Sequence, residues 1–296
     1  MKVLVLIKEV YDTKVPLEYD VTGGVKTDWN VSMLNPEDGS AIEAALKLKE
    51  SIPETRITVV HLGPVSEERY IRESIALGCD DGIRIWDGGL RDLHTRGKAS
   101  ILARAAQTLT YDLILTGTQS EDLGNAQLGI LLASALEIPC VTRVTTFEKT
   151  DDGAIDAVRK LSEGYRERVK ALLPVVITME ANEESYQCAA LPPLFESMER
   201  RIPCFDLSDL GISAYEIREK ESLLLYGPLR FPSCRLKHLP APDSSLPAYE
   251  RREMLLQGSM LRREGKIVKG DEDSMVEEIF QTLLKHGWLN HLRKED

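Results

Sequence analysis

Residues Tyr111 to Gly129 read YDLILTGTQSEDLGNAQLG, and this segment is the clearest indication of the fold. Its apolar run, Leu113 to Leu115, is short enough for a buried parallel strand. A small polar loop follows, and the run AQLGILLASALE then has a helical pattern behind Asn125, a preferred N-cap residue. A strand, a glycine-containing loop and a helix start in this order are typical of a turn whose backbone N–H groups bind phosphate.

The residue types in this loop restrict the phosphate group that it can bind. The loop has no lysine and carries Glu121 and Asp122, so it is not a GxxxxGK[ST] loop that holds β- and γ-phosphates. A monophosphate or diphosphate held mainly by N–H and hydroxyl groups agrees with these residues. The alternative from pattern alone is an ordinary strand-to-helix turn.

The chain before this stretch alternates strands and helices. MKVLVLIKEV, RITVVHLGP and GIRIWD have strand patterns, and VTGGV at 21–25 predicts a hairpin turn. Helices are predicted behind Asn35 with Pro36 as first residue, from Ser66 to Gly78, and from Thr95 to Leu109. This alternation with short connections predicts an α/β fold, a doubly wound parallel sheet with helices on both faces.

Ligands of such sheets bind outside the carboxyl ends of the strands. Leu6, Leu62 and Gly117 lie near three of those ends. Two carboxylates in the first turn of the helix behind Asn35 already satisfy the helix dipole and would repel phosphate. We therefore expect Asp38 or Asn35 to face a ribose hydroxyl or an adenine amino group, with plain helix capping as the alternative.

The pattern changes after Pro139. CVTRVTTFEK and VKALLPVVITME predict further strands of the same domain, which extends over residues 1–212. Residues 182–206 predict an exposed loop with one short helix around 195–200 and an apolar tip at Leu191-Pro192-Pro193-Leu194. This loop either rests on its own domain or docks a partner.

Residues 213–296 predict an extended C-terminal arm. Five prolines between residues 228 and 247 mark a connection that cannot build a core. The segment MVEEIFQTLLKHGW predicts an amphipathic helix that ends at Gly287, with an apolar stripe of Met275, Val276, Ile279, Phe280, Leu283 and Leu284. A second chain or the sheet of the same chain can bury this stripe.

Composition excludes several functions. The 37 basic and 48 acidic residues give a net charge of −11, which argues against nucleic acid or anionic membrane as the main partner. We find no targeting segment and no run of membrane-spanning length, so a cytoplasmic protein without direct membrane insertion is expected. The five cysteines form no CxxC and the five histidines are scattered, so reduced thiols and no metal site are expected.

Four blocks together resemble one known family in the right order: IKEVYDT, NPEDGSAIEAALKLKE, IRESIALGCDDGIRI and GTQSEDLGNAQLG. Over residues 1–212 the chain resembles the β-subunit of electron transfer flavoproteins. The resemblance implies a sheet of the adenine-nucleotide-binding type that holds AMP, or FAD in electron-bifurcating members. The cofactor-binding residues that it implies are Leu6, Asn35, Pro36, Glu37, Asp38, Leu62, Gly117, Thr118, Gln119, Ser120, Glu121, Asp122, Leu123, Gly124, Asn125, Ala126, Gln127 and Leu128.

The resemblance also implies partners. An α-subunit would carry the electron-transferring FAD, and the heterodimer would pass electrons from acyl-CoA-type dehydrogenases to a quinone-linked oxidoreductase. Leu191 matches the leucine that anchors the dehydrogenase. The family often has a lysine or arginine where Thr118 stands, so phosphate binding here is expected to depend more on backbone donors.

Two other functions remain open. One is the flavin-bearing subunit of an NADH-dependent electron-bifurcating complex, and the other is a stand-alone nucleotide-binding protein of the universal-stress type. With AMP the chain would do no chemistry itself, and no residue is expected to act as a general acid or nucleophile. An ATP-pyrophosphatase is disfavoured because KEVYDT stands where an SGGxDS loop is required.

Overall fold

The structure, a computed structural model, describes residues 1–16, 18–19, 31–90, 93–181, 188–213, 215–217, 244–257 and 270–285. The glycine turn predicted at 21–25 lies outside these residues. The chain divides into two compact units, Met1–Phe231 and Pro232–Asp296. In the described part, no helix is long and apolar enough to span a bilayer.

The first unit is built on a twisted sheet whose parallel strands come mainly from the predicted β-α alternation. Nine strands form this sheet in the described residues, in the order β11-β5-β4-β1-β6-β10-β7-β8-β9. The strands of its first half are β1 (Lys2–Ile7), β4 (Arg56–Leu62), β5 (Asp81–Ile85) and β6 (Leu113–Gly117). A separate two-stranded ribbon, β2 (Glu9–Tyr11) with β3 (Ser32–Leu34), leads from β1 to the first helix.

Helices cover both faces of the sheet, which confirms the doubly wound fold. α1 (Pro36–Ser51) and α2 (Arg69–Leu77) pack in one core with Val3, Val5 and Ile7 of β1. α3 (Thr95–Leu109) and α4 (Leu128–Leu136) pack in a second core with Leu4 and Leu6. Successive residues of a strand point to opposite faces, so the apolar run of β1 supplies both cores.

β1 lies at the centre of the topology. Its parallel neighbours are β4 on one side and β6 on the other. The chain leaves β1 through α1 toward β4 and β5, and returns through α3 to β6 on the opposite side. The connection after β1 therefore runs to one side of the sheet, and the connection after β6 runs to the other. The crevice between β1 and β6, where the strand order reverses, is the switch point at which an open α/β sheet binds its ligands.

The second half of the sheet is partly antiparallel, which the pattern did not predict. β7 (Cys140–Lys149) and β10 (Val175–Met179) are parallel to each other, and β10 is parallel to β6. β8 (Ala154–Lys160) and β9 (Arg166–Leu172) come between these two strands in the chain, and they extend the sheet beyond β7 with antiparallel pairing. The single strand predicted for VKALLPVVITME is therefore two, the end of β9 and β10.

The predicted loop at 182–206 also contains more structure than expected. Its residues 182–187 lie outside the described part. Its helix, α5 (Leu191–Glu199), begins four residues earlier than predicted, and β11 (Cys204–Phe205) pairs with β5 at the sheet edge. The segment is thus partly integrated into the sheet rather than a continuous loop.

The second unit contains two described helices, α6 (Ala248–Gln257) and α7 (Glu272–Lys285). α7 is the amphipathic helix that was predicted, although Gly287 lies outside the described residues. Val276, Ile279 and Phe280 of its apolar stripe are each about half exposed or more. Much of the stripe is therefore not covered by the described part of this chain.

Candidate functional site

A cleft of about 290 Å³ opens at the carboxyl ends of β1, β4 and β6. Twelve of the residues expected at a cofactor site line it: Leu6, Asn35, Asp38, Leu62, Gly117, Thr118, Gln119, Ser120, Leu123, Asn125, Gln127 and Leu128. The remaining six, Pro36, Glu37, Glu121, Asp122, Gly124 and Ala126, lie in the helix start or the loop that form its walls. The cleft thus lies at the switch point of the sheet.

Asp38 joins the two strands that diverge at this point. Its Oδ2 accepts the amide N–H of Lys8 at 2.9 Å, directly after β1, and its Oδ1 accepts that of Gly117 at 2.8 Å, the last residue of β6. Burial raises the pKa of Asp38 to about 7, against the lowering effect of the donors Gly117, Asn35 and Lys8. Both carboxylate oxygens are used within the protein, so Asp38 shapes the cleft rather than presenting a free acceptor.

Asn35 and Glu37 fix the loop after β6 to the start of α1. The Asn35 amide donates to the Gln119 carbonyl at 3.0 Å and accepts the Glu121 N–H at 3.1 Å. Glu37 Oε2 accepts the Gln119 N–H at 2.5 Å, and burial raises its pKa to about 7. The Asn35 side chain makes no hydrogen bond that caps α1, so the capping alternative is wrong for this side chain, which bonds the loop instead.

Gly117 leaves no room for a side chain between the end of β6 and the start of α1. A Cβ at this position would lie 2.6 Å from Asp38 Oδ1, 2.8 Å from Glu37 Cβ and 3.0 Å from Asn35 Nδ2. Real Cβ atoms are not found that close to other heavy atoms, so only glycine fits without displacement of the helix. The sequence pointed to Gly117 as a strand end, and the structure gives the physical reason for glycine.

The helix after the loop starts later than predicted. α4 begins at Leu128, and Asn125 does not cap it, since Asn125 Nδ2 donates to Thr95 Oγ1 at 2.7 Å. Gly124 and Ala126 have positive φ angles of 57° and 51°, which prevent a continuous helix there. The loop therefore extends to Gln127, and Asn125 ties it to the start of α3.

The N-terminus of α4 has free backbone donors at the cleft. The amides of Leu128, Gly129 and Ile130 form no hydrogen bond with any residue in the described ranges, as expected for the first turn of a helix. Gln127 and Leu128 line the cleft, so this helix end contributes its partial positive charge there. In contrast, the Thr118 hydroxyl is used internally, by Thr178 at 3.0 Å and the Met179 carbonyl at 3.1 Å.

Lys8 supplies a cation that the sequence analysis did not identify. Its ammonium lies 2.6 and 2.7 Å from the two oxygens of Asp122 and 3.4 Å from Ser120 Oγ. Burial raises the pKa of Asp122, but the hydrogen bonds from Lys8, Ser120 and the Leu123 amide, with the charge of Lys8, together lower that pKa below its usual range. The loop without a lysine therefore receives one from the end of β1, a residue 114 positions away.

Leu62 was predicted at the end of β4, but the pair of His61 and Glu67 beside it was missed. His61 is fully buried, and its Nδ1 donates to the Ile7 carbonyl at 3.0 Å while its Nε2 lies 2.8 Å from Glu67 Oε2. A Cβ on Gly63 would collide with both His61 and Glu67, which explains the glycine after Leu62. No pattern around His61 could have revealed its contact with Ile7, because that contact depends on the packing of β4 against β1.

The other wall comes from β5 and α3. Trp86, Leu90 and Leu102 give it an apolar surface, and Thr95 and Lys98 add polar groups. Trp86 stands near the end of the third predicted strand, so the rule that ligands bind at strand ends could have pointed to it. Leu191 is not part of the cleft, since it starts α5 with 66% of its surface exposed.

The fold and the cleft together define a doubly wound α/β protein with an open cleft at its switch point. The model of the electron transfer flavoprotein domain matches residues 24–190. The electron transfer flavoprotein subunit beta of Thermoanaerobacterium thermosaccharolyticum is 31% identical over 225 residues, which cover 75% of this chain and 85% of that protein. The chain therefore belongs to the electron transfer flavoprotein β-subunit family.

Two further relatives indicate the range of this similarity. The electron transfer flavoprotein subunit beta of Bacillus subtilis is 28% identical over 270 residues, which cover 90% of this chain and all of that protein. Subunit CarD of the caffeyl-CoA reductase–Etf complex of Acetobacterium woodii is 31% identical over 216 residues, 72% of this chain and 81% of that protein. The family thus includes a subunit named for a reductase complex.

Proposed function

We propose that this chain is the β-subunit of a cytoplasmic electron transfer flavoprotein and holds AMP in the cleft between β1, β4 and β6. An α-subunit carrying FAD completes the heterodimer, which takes electrons from acyl-CoA-type dehydrogenases to a quinone-linked oxidoreductase. The observation that carries the nucleotide assignment is the free first turn of α4 at the switch point of the sheet.

The residues that line the cleft suit the parts of an adenine nucleotide. Leu6, Leu62 and Trp86 offer an apolar surface for the flat adenine ring. The amides of Leu128 and Ile130 at the start of α4 are free to donate to a phosphate. Asp38 and Asn35 hold the loop in the shape that brings these two surfaces together, rather than touching the nucleotide through their occupied hydrogen-bonding atoms.

The volume of the cleft suits a small ligand such as AMP. Its 290 Å³ lies just below the roughly 300–1,000 Å³ that small-molecule pockets enclose. When bound, FAD would supply one- and two-electron redox chemistry, whereas AMP would supply none and would act as a structural ligand.

A second candidate is the flavin-bearing subunit of an NADH-dependent electron-bifurcating complex. The observation in its favour is the 31% identity with the subunit of the caffeyl-CoA reductase–Etf complex. Under this function the same cleft would hold the adenine half of FAD, and the residues at its open side would face the flavin.

The test is to co-purify the chain with its α-subunit, release the bound nucleotides by heat or acid, and count them. One FAD with one AMP per heterodimer is the expected result. Two FAD and no AMP would replace the proposal with the bifurcating function. A stable monomer without a flavin-bearing partner would contradict both and favour a stand-alone nucleotide-binding protein.

A further inference from the structure

The cleft holds a charged pair whose geometry suits exchange with a ligand. Lys8 lines the cleft, and its ammonium bonds Asp122, which is not among the lining residues. We infer that Lys8 is the counter-charge of the ligand's phosphate, and that Asp122 holds the ammonium until the phosphate replaces it. This inference rests on the proposed nucleotide site.

The contacts of Lys8 leave its side chain free to move without loss of the local fold. Its backbone amide bonds Asp38, and this bond does not depend on the side chain. The ammonium has two close contacts to Asp122 and one long contact of 3.4 Å to Ser120. The two side chains are 31% and 26% exposed, so neither is locked in a dry interior.

Asp122 keeps other partners when Lys8 moves. Its Oδ1 accepts the Leu123 N–H at 2.8 Å, and the Ser120 hydroxyl also hydrogen-bonds its carboxylate. The main cost of breaking a buried ion pair is the buried charge that is left without a partner. Asp122 keeps its hydrogen bonds when the ammonium leaves, so this cost does not arise. A phosphate offers the ammonium an equivalent charged acceptor, so the exchange conserves one charge-assisted hydrogen bond.

The contacts of the ligand-free loop reduce the negative charge that it presents to an approaching anion. Glu121 and Asp122 would repel a phosphate that approached the loop alone. The Thr13 hydroxyl donates to Glu121 at 2.7 Å, and Lys8 neutralises Asp122. Lys8 directly follows β1, and β1 is paired with β6 in the sheet. The ammonium and the α4 amides therefore both belong to the switch point.

The test compares two ligands that differ only in the phosphate. Adenosine and AMP are titrated into the full-length chain freed of bound nucleotide, and affinities are measured by calorimetry for the wild type, Lys8→Met and Asp122→Asn. Lys8→Met should weaken AMP binding by about 10- to 100-fold, the range of a charge-assisted hydrogen bond, and should change adenosine binding little. Asp122→Asn should strengthen AMP binding, because it removes the competing carboxylate.

Lys49→Met is the matched control. Lys49 pairs with Asp80 at 2.7 Å with exposures of 27% and 33%, close to those of the Lys8 pair, but outside the cleft. It should leave both affinities unchanged. Lys8→Arg should retain most of the AMP affinity, because the charge is kept.

Two results would overturn the role of Lys8. Equal weakening of adenosine and AMP by Lys8→Met and Asp122→Asn would make the pair a simple tie that holds the loop. Unchanged AMP binding in Lys8→Met would show that the ammonium does not contact the phosphate. If the wild-type chain binds neither ligand, the nucleotide site of the proposed function fails as well.

Discussion

The buried polar side chains at the switch point form hydrogen bonds with backbone groups rather than with solvent. Asp38 accepts an N–H from each of the two diverging strand ends, and Asn35 fixes the loop that follows β6. The sequence located both residues at the site because they start a helix beside a strand end. Their actual contacts could not be predicted, because a short polar side chain gives no sign of which distant backbone group it will meet.

Gly117→Ala tests this junction at the level of one residue. The added methyl would lie within 3.0 Å of Asp38, Glu37 and Asn35, so α1 or the loop must shift. We expect the free energy of unfolding to fall by about 1–3 kcal/mol, the usual cost of overpacking, with weaker nucleotide binding. Denaturant unfolding of the full-length chain measures the change.

Gly88→Ala is the control for this substitution. Gly88 has an ordinary φ angle and no atom within 4 Å of an added Cβ, so its replacement should alter stability little. Equal stability of both variants would contradict the tight packing described at Gly117.

The partners of Lys8 and His61 could not be predicted from the sequence. Lys8 stands directly after a predicted strand, yet its partner is 114 residues away in the loop. His61 stands inside a strand pattern, and its two partners belong to β1 and to the turn after β4. The contacts of Lys8 with Asp122 and of His61 with Ile7 arise from the order of strands in the sheet, which single-residue patterns do not contain.

At the scale of elements, strong periodicity gave correct predictions. The strands β1, β4, β5 and β6 and the helices α1 to α3 lie where apolar runs and helical spacing placed them. β8 was missed because its alternation, AIDAVRK, follows a polar turn and is half charged. The start of α4 was misplaced because two residues with positive φ interrupt a sequence that has helical spacing.

The exposed face of α5 leads to a prediction about docking. Leu191, Phe195 and Met198 are 56–66% exposed at helical spacing, so they form an apolar face on its surface. If this face docks the dehydrogenase, Leu191→Ala should raise the KM of the heterodimer for the reduced dehydrogenase by about 10- to 30-fold, as for an interface hot spot. Steady-state electron transfer at varied dehydrogenase concentration measures it.

Val65→Ala provides a comparison with equal exposure. Val65 is 67% exposed and lies in the turn before α2, outside α5. Its replacement should leave the KM unchanged. The same KM for wild type and Leu191→Ala would exclude Leu191 as the anchor.

At the scale of the whole molecule, the alternation of strands and helices fixed the architecture of the first unit, since crossover handedness leaves few topologies. That rule does not predict the antiparallel strands β8 and β9, because the two strands of a hairpin are not separated by a helix. The second unit could be predicted only as an arm with one amphipathic helix, since its prolines and polar residues provide no core pattern.

The exposed stripe of α7 gives a prediction for assembly. If the α-subunit covers this stripe, Val276→Asp would place a charge in an apolar interface and should weaken the heterodimer by at least about tenfold. Co-purification of the variant with the α-subunit, followed by sedimentation at decreasing concentration, measures the affinity.

Gln281→Asp is the matched control on the same helix, because it adds the same charge outside the apolar stripe. It should form the heterodimer normally. Normal assembly of both variants would mean that the stripe is buried elsewhere.

The two outer strands of the large sheet affect how readily free copies of the chain aggregate. Within the described residues the sheet ends in β11, which has two residues, and in β9, whose sequence RERVKAL carries four charges. Short and charged outer strands pair poorly with the strands of other molecules. A newly synthesised copy thus has apolar helix faces for assembly but little tendency to form the intermolecular β-structure from which aggregates grow.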